Sequence, residues 1–159
     1  GVIRPESRGR LSLAAADPFV APLLDPAVLS ASEDLEALAT ALELCRTIGR
    51  RHALDEWMSE ELYPGDGVRD AEAIRAYCRQ NVLTYHHQVG TCKMGVDELA
   101  VVDPELRVRG VEGLRVADAS VMPEVTTGNT HAPTVMIGER AAELVAASLG
   151  ASVGATAAG

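Results

Sequence analysis

Two stretches carry the side chains that could do chemistry. One is Tyr85-His86-His87-Gln88-Val89-Gly90-Thr91-Cys92-Lys93-Met94-Gly95. The other runs from Gly113-Leu114-Arg115-Val116-Ala117-Asp118-Ala119-Ser120 to Gly128-Asn129-Thr130-His131-Ala132-Pro133. Both place polar residues among glycines and prolines, between hydrophobic runs, as a site does when irregular backbone must approach a ligand closely. Histidine exchanges protons near neutral pH. An asparagine side chain both donates and accepts hydrogen bonds, although after Gly128 it also suits a turn. Amides at the end of a strand, as at Asp118-Ala119-Ser120, can cradle polar or anionic groups. His86, His87 and Cys92 have the types of metal ligands, but adjacent histidines rarely point the same way and no fourth ligand is sensibly spaced, so no metal is expected. Ser120, His87 and Asp118 have the letters of a hydrolase triad without the G-x-S-x-G elbow that would present the serine.

The elements that must position these residues follow from composition and periodicity. A chain of 159 residues suits one ordinary domain, and its 47% apolar content is that of a globular protein. A net charge of -9 with no basic run excludes nucleic acid and anionic membrane surfaces as expected partners, and one Trp, one Phe and three Tyr exclude a base-stacking platform. No apolar run reaches membrane-spanning length. Gly1 to Arg10 is polar and has no apolar stretch after it, so no signal peptide is expected. Cys45, Cys78 and Cys92 fit neither a disulfide framework nor a zinc site, and reduced thiols in a cytoplasmic protein are expected.

Leu11 and Leu13 flank Ser12 in a short strand, followed by an extended connection punctuated by Asp17-Pro18, Ala21-Pro22 and Asp25-Pro26. Ser30 or Ser32 is expected to cap a helix, with Glu33 completing a capping box. Leu35, Leu38, Leu42, Cys45 and Ile48 form that helix's inward stripe, and its acidic start and basic end complement the helix dipole. Asp70 is expected to cap a second helix, from Ala71 to about Asn81, with Ile74, Tyr77 and Cys78 inward. Gly65-Asp66-Gly67 fails as a dinucleotide fingerprint, because Asp70 stands at the last position and no strand precedes the glycines. Short strands are expected at Val101-Val102 and at Leu114-Arg115-Val116. From Thr134 a third helix carries Met136, Ile137, Ala141, Leu144, Val145 and Leu149, with Gly150 as its C-cap. The tail beyond is expected to fray.

In order along the chain stand Arg4-Pro5-Glu6-Ser7-Arg8-Gly9 with Asp17-Pro18, then His87-Gln88-Val89-Gly90-Thr91-Cys92-Lys93-Met94-Gly95. Val102-Asp103-Pro104-Glu105-Leu106-Arg107-Val108-Arg109-Gly110-Val111 follows, then Gly113 to Pro123, Gly128 to Thr134, and Ile137-Gly138-Glu139-Arg140-Ala141-Ala142. This series resembles the C-terminal region of the glucose-methanol-choline (GMC) oxidoreductases, most of all their choline and alcohol dehydrogenase branch. The resemblance implies an FAD-dependent enzyme that oxidises alcohols. It also implies that the Rossmann half bearing the flavin's G-x-G-x-x-G fingerprint precedes the part seen here, so a flavin-binding half in the same or a separate chain is the expected partner.

The implied fold is α+β, a partial GMC fold: residues 1-84 form the substrate-side part, 85-149 the flavin-proximal catalytic part, and 150-159 a flexible tail. By resemblance, His87 is the base that takes the hydroxyl proton, a task suited to a neutral imidazole. Asn129 falls on the family's second catalytic position, where an amide can donate to the developing alkoxide. Asp118, Ala119, Asn129, Thr130, His131, Ala132, Pro133 and Thr134 are implied flavin neighbours, and the dipole of the helix that Pro133 and Thr134 open favours negative charge on a reduced flavin. His86 is a wall of the pocket. The alternative reading is a truncated remnant, or a binding or regulatory fragment, inactive without a flavin-binding half.

Overall fold

The structure, a computed structural model, describes residues 1–150; the expected tail beyond Gly150 lies outside the described residues. The chain divides into two compact units, Gly1–Tyr85 and His86–Gly159.

In the first unit, strand β1 (Arg10–Ser12) pairs antiparallel with β2 (Leu23–Asp25), so that Leu11 lies opposite Leu24. The expected strand is present. Its partner occupies what the prolines suggested was a plain connection, since a residue before proline is already extended and therefore ready to pair. Gly9 permits the close approach here: a Cβ at this position would stand 2.5 Å from the Asp25 carbonyl oxygen.

Helix α1 spans Ser32–Gly49. Neither serine caps it as expected. Ala31 is the N-cap residue, and the Ser32 hydroxyl bonds to the Glu33 carboxylate instead. The cap comes from far away in sequence. The Ser7 hydroxyl accepts the Ala31 N–H at 3.1 Å and donates to the Asp34 carboxylate, which also takes the amides of Glu6 and Ser7 at 2.8 Å each. Asp34 is only 3% exposed. Burial pushes its pKa up, but the Ser7 hydroxyl and the two amides outweigh burial and hold it below the usual aspartate value.

The inward stripe of α1 also departs from expectation. Leu35 is buried, and Leu38 and Leu42 are half-buried, but Cys45 and Ile48 are exposed. Four residues after Leu42, the same face continues with Arg46, which is buried. Its guanidinium is satisfied by the Glu61 carboxylate at 2.8 and 2.9 Å and by the carbonyls of Val68 and Gly65 at 2.7 and 3.4 Å. The Glu61 hydrogen bonds raise the Arg46 pKa and lower that of Glu61. A cation expected merely to complement the helix dipole thus anchors the 61–68 loop.

Helix α2 (Ala71–Asn81) follows the sequence closely. The Asp70 side chain accepts the Ala73 N–H at 2.9 Å, Ile74 and Cys78 are buried against Leu35, and Tyr77 is half-buried. With 11 residues against the 18 of α1, it covers only part of that helix, which is why the apolar end of α1 emerges into solvent. Phe19 and Trp57 are exposed as well.

The second unit has no named strand among its described residues. Val101-Val102 and Leu114–Val116 contribute only isolated bridges: Met94 with Val102, Val102 with Val108, and Arg107 with Arg115. Left-handed backbone at Leu106, Gly110 and Gly113 turns the chain too often for a ladder to lengthen. Helix α3 begins at His131, three residues before Thr134, and ends at Ser148, with Gly150 in the left-handed conformation beyond. Ile137 and Ala141 on α3 pack with Val102, Leu106, Val121 and Met122, where Val102 and Val121 are wholly buried. No described helix is long and apolar enough to cross a membrane.

Two outcomes follow for the first unit. A thiol reagent should modify exposed Cys45 promptly in the native protein and Cys78 only on unfolding, since burial both shields that thiol and raises its pKa; equal rates at the two thiols would contradict the packing of α2. The Asp34 pKa is lowered in the folded state, so its stabilising contribution is full above the ordinary aspartate pKa of about 3.9 and is lost as pH falls through the lower folded value. Asp34→Ala should cost roughly 1–3 kcal/mol at neutral pH, the penalty for orphaning its donors, and should flatten the acid limb of the stability curve. Urea titrations from neutral pH to below pH ~4 measure both.

Candidate active site

The geometry of the second unit gathers the two chemistry-bearing stretches. The Ser120 carbonyl accepts the N–H groups of Gly90 and Cys92, both at 3.0 Å, and the Val121 carbonyl accepts Met94 N–H at 2.8 Å. The segment after His87 is thereby stitched to the short 3-10 turn Ala119–Val121. Asp118 closes that turn by accepting the Ser120 N–H at 2.8 Å. Val121 and Met122 then pack against α3, whose first turn follows Asn129 and Thr130 directly.

At the convergence, His87 Nε2 lies 3.3 Å from Asn129 Oδ1, and His87 Nδ1 lies 3.0 Å from Thr130 Oγ1. Both imidazole nitrogens are thus held by consecutive residues at the start of α3. His87 is half-buried, Asn129 exposed and Thr130 buried. One side of the group is therefore open to a ligand and the other fixed in the protein. His86, just ahead, is exposed with φ of +60°, an uncommon conformation for histidine that turns the chain sharply before His87. The structure thus brings together His87, Asn129 and Thr130 from the expected set. The link from Thr130 to the imidazole is one that the sequence reading did not contain.

The remaining expected residues form the rim. His131 and Ala132 are exposed, and Pro133 and Thr134 half-buried, in the first turn of α3. Thr130, the N-cap residue, gives no side-chain cap, so the amides of His131 and Ala132 stand uncapped at the end of an 18-residue helix. The Thr134 hydroxyl and amide both donate to the Thr130 carbonyl, at 2.6 and 3.0 Å. At the Asp118 turn, the amides of Ser120, Val121 and Met122 are used internally, which narrows any main-chain donor there to Asp118 and Ala119. Among the described residues, no three His, Cys, Asp or Glu side chains gather as a metal site.

Comparison with known proteins gives this arrangement its family. The C-terminal model of GMC oxidoreductase matches residues 5–138. The chain is 43% identical over 157 residues to an alcohol dehydrogenase (acceptor) of Pseudomonas putida, covering 96% of this chain and 28% of that protein. It is 44% identical over 140 residues to an oxygen-dependent choline dehydrogenase of Sinorhizobium fredii, covering 87% and 26%. Among solved structures, pyridoxine 4-oxidase from Mesorbium loti superposes with a TM-score of 0.81 at 39% identity, covering 88% of this chain and 27% of that one. An FAD-dependent oxidoreductase from Chaetomium thermophilum superposes with a TM-score of 0.87 at 27% identity, covering 94% and 26%. The chain belongs to the GMC oxidoreductase family. It spans little more than a quarter of the length of these relatives.

The loop after His87 makes a demand on one glycine. Gly90 has φ of +89°, which L side chains rarely adopt, whereas Gly128, before Asn129, has no such φ and open space where a Cβ would go. Gly90→Ala should cost about 1–2 kcal/mol through backbone strain, and Gly128→Ala should leave the thermal midpoint nearly unchanged. Equal melting of the two variants would contradict the described path of the loop.

Proposed function

We propose that this chain forms the C-terminal catalytic and substrate portion of an FAD-dependent alcohol dehydrogenase or oxidase, with His87 as the base. The observation that carries the reading is the His87–Asn129 pair, its nitrogen and amide oxygen 3.3 Å apart on the open side of the second unit. Asn129 orients the alcohol oxygen and, with its amide turned, donates to the alkoxide as it develops. His87 takes the hydroxyl proton on Nε2, and the substrate becomes an aldehyde or ketone as its carbon loses a hydride. FAD, when bound, supplies the two-electron acceptor for that hydride.

The residues fit one end of this cofactor. The uncapped amides of His131 and Ala132, with the positive end of the α3 dipole behind them, offer hydrogen bonds to the polar edge of an isoalloxazine ring. Asp118 and Ala119 offer the remaining main-chain donors. His86, on the exposed side of the same loop, serves as a pocket wall. The pyrophosphate and adenosine require a Gly-rich turn and helix N-terminus of the Rossmann kind, which these residues do not include. The partner that completes the site is a flavin-binding half, and the substrate is a small alcohol, in keeping with the names of the relatives. The cytoplasm, where thiols stay reduced, suits the three cysteines.

In the assembled flavoenzyme, His87→Ala should lower turnover about 10²–10⁴-fold, the usual share of a general base, with flavin content maintained. Turnover near that of the unaltered enzyme would remove His87 from the mechanism. Purified by itself, the chain should be colourless and inactive, because a half-site leaves most of a large cofactor in water. Adding a flavin-binding half should restore both the yellow colour and alcohol-dependent dye reduction. Stoichiometric FAD on the isolated chain would overturn the division of labour.

A further inference from the structure

Helix α3 is apolar on two of its three sides. At 3.6 residues per turn, its residues fall into three sectors of roughly 100° each. One sector faces the core and carries Ile137, Ala141 and Leu144. The second carries all the formally charged side chains of the helix, Glu139, Arg140 and Glu143, and Arg140 donates to the Glu143 carboxylate at 2.6 Å. The third carries Val135, Gly138, Ala142, Val145 and, one residue past the helix, Leu149. All five are exposed, Val135 to 51% and Leu149 to 77%. A helix that met water on both of its outer sides would carry polar residues on both. Here one outer side holds every charge and the other none, and among the described residues nothing covers the uncharged one.

Gly138 indicates how closely a cover would approach. Glycine inside a helix is destabilising relative to alanine. Nothing within the chain asks for it here: the backbone is helical, and a Cβ at Gly138 would meet no atom within 4 Å. A partner packed directly on the helix backbone does ask for it. The same sector begins at the candidate flavin edge, because His131, with its uncapped amide, lies on it two turns before Gly138. Whatever holds the remainder of the flavin therefore stands at the head of this stripe. Most of the length of the relatives lies outside the part that this chain matches. We infer that the Val135–Gly138–Ala142–Val145–Leu149 face of α3 is the surface on which the flavin-binding half docks, with an apolar face of that half against Gly138. This rests on the reading of the chain as the C-terminal portion of a flavoenzyme, and not on the role of His87.

The test is thiol accessibility in the flavin-loaded assembly of this chain with its flavin-binding half. Ala142→Cys puts a thiol on the uncharged outer sector, and Glu143→Cys puts one on the charged sector a residue away. A maleimide, with the modified sites assigned by mass spectrometry, should label the first ~100-fold more slowly than the second. Equal rates overturn the inference. Gly138→Leu should lose its flavin on gel filtration, whereas Glu143→Leu should keep it. Because space is open at Gly138 within the chain, the helical circular dichroism of Gly138→Leu should be unchanged. Full flavin retention in Gly138→Leu also overturns the inference. Protection at position 142 that vanishes on dilution while flavin stays bound assigns the face to a second copy of the assembly, and overturns it too. The two readings fail separately. Normal turnover in His87→Ala removes the base and leaves the protection at position 142 in place. Equal labelling alongside a disabled His87→Ala removes the docking face and leaves the base. Stoichiometric FAD on the chain alone fails the functional reading, and the docking face with it.

Discussion

One carbonyl oxygen takes two of the hydrogen bonds that join the second unit's two motifs. Ser120 C=O receives the amide protons of Gly90 and Cys92, about 30 residues earlier in the chain, and so fixes the exit of the His87 loop against the turn that Asp118 closes. Without these two hydrogen bonds and the neighbouring one from Met94 N–H to the Val121 carbonyl, His87 would sit on a loop with no regular ladder to restrain it, since the β-pairing among the unit's described residues amounts to single bridges. The wholly buried Val121, the next residue, ties the same turn into the core beneath α3. The placement of an imidazole beside the first turn of a helix therefore depends on main-chain hydrogen bonds anchored in a small apolar cluster.

The first unit solves a different problem. Its apolar cluster is slight, centred on Leu35, Ile74 and Cys78, and two charged residues extend it. Asp34 gathers the N-terminal segment through two backbone amides and the Ser7 hydroxyl, and Arg46 gathers the 61–68 loop through the Glu61 carboxylate and two backbone carbonyls, each residue being buried. Such residues specify a path for irregular chain that apolar contacts, having no direction, would leave undetermined.

This difference explains what could be read in the sequence. Helix α2 was legible down to its cap because its signals are local: Asp70 meets an amide three residues on, and Ile74 and Cys78 lie one turn apart. The start of α1 was not, because its hydrogen-bond partner is Ser7, and nothing within the 30–36 window announces it. The stripe of α1 was misjudged at Cys45 because burial at that end is decided by the length of α2 and by the reach of Glu61. At the candidate site, His87 and Asn129 were singled out from motif resemblance, and the structure sets them side by side. Thr130 was counted only among flavin neighbours. No local signal could have found its link to the imidazole, because His87 lies 43 residues earlier in the chain.

Every aromatic side chain of the chain, Phe19, Trp57, Tyr63, Tyr77 and Tyr85, belongs to the first unit. The unit that carries His87 is consequently dark in the near ultraviolet. Its absorption there is negligible, and it offers no indole or phenol to give an electron to an excited flavin. The intrinsic emission of the chain originates at Trp57, which is 81% exposed, so it is that of an indole largely in water. An optical melt followed by that emission describes the neighbourhood of Trp57, whereas the peptide circular dichroism of α3 reports on the scaffold beneath the imidazole.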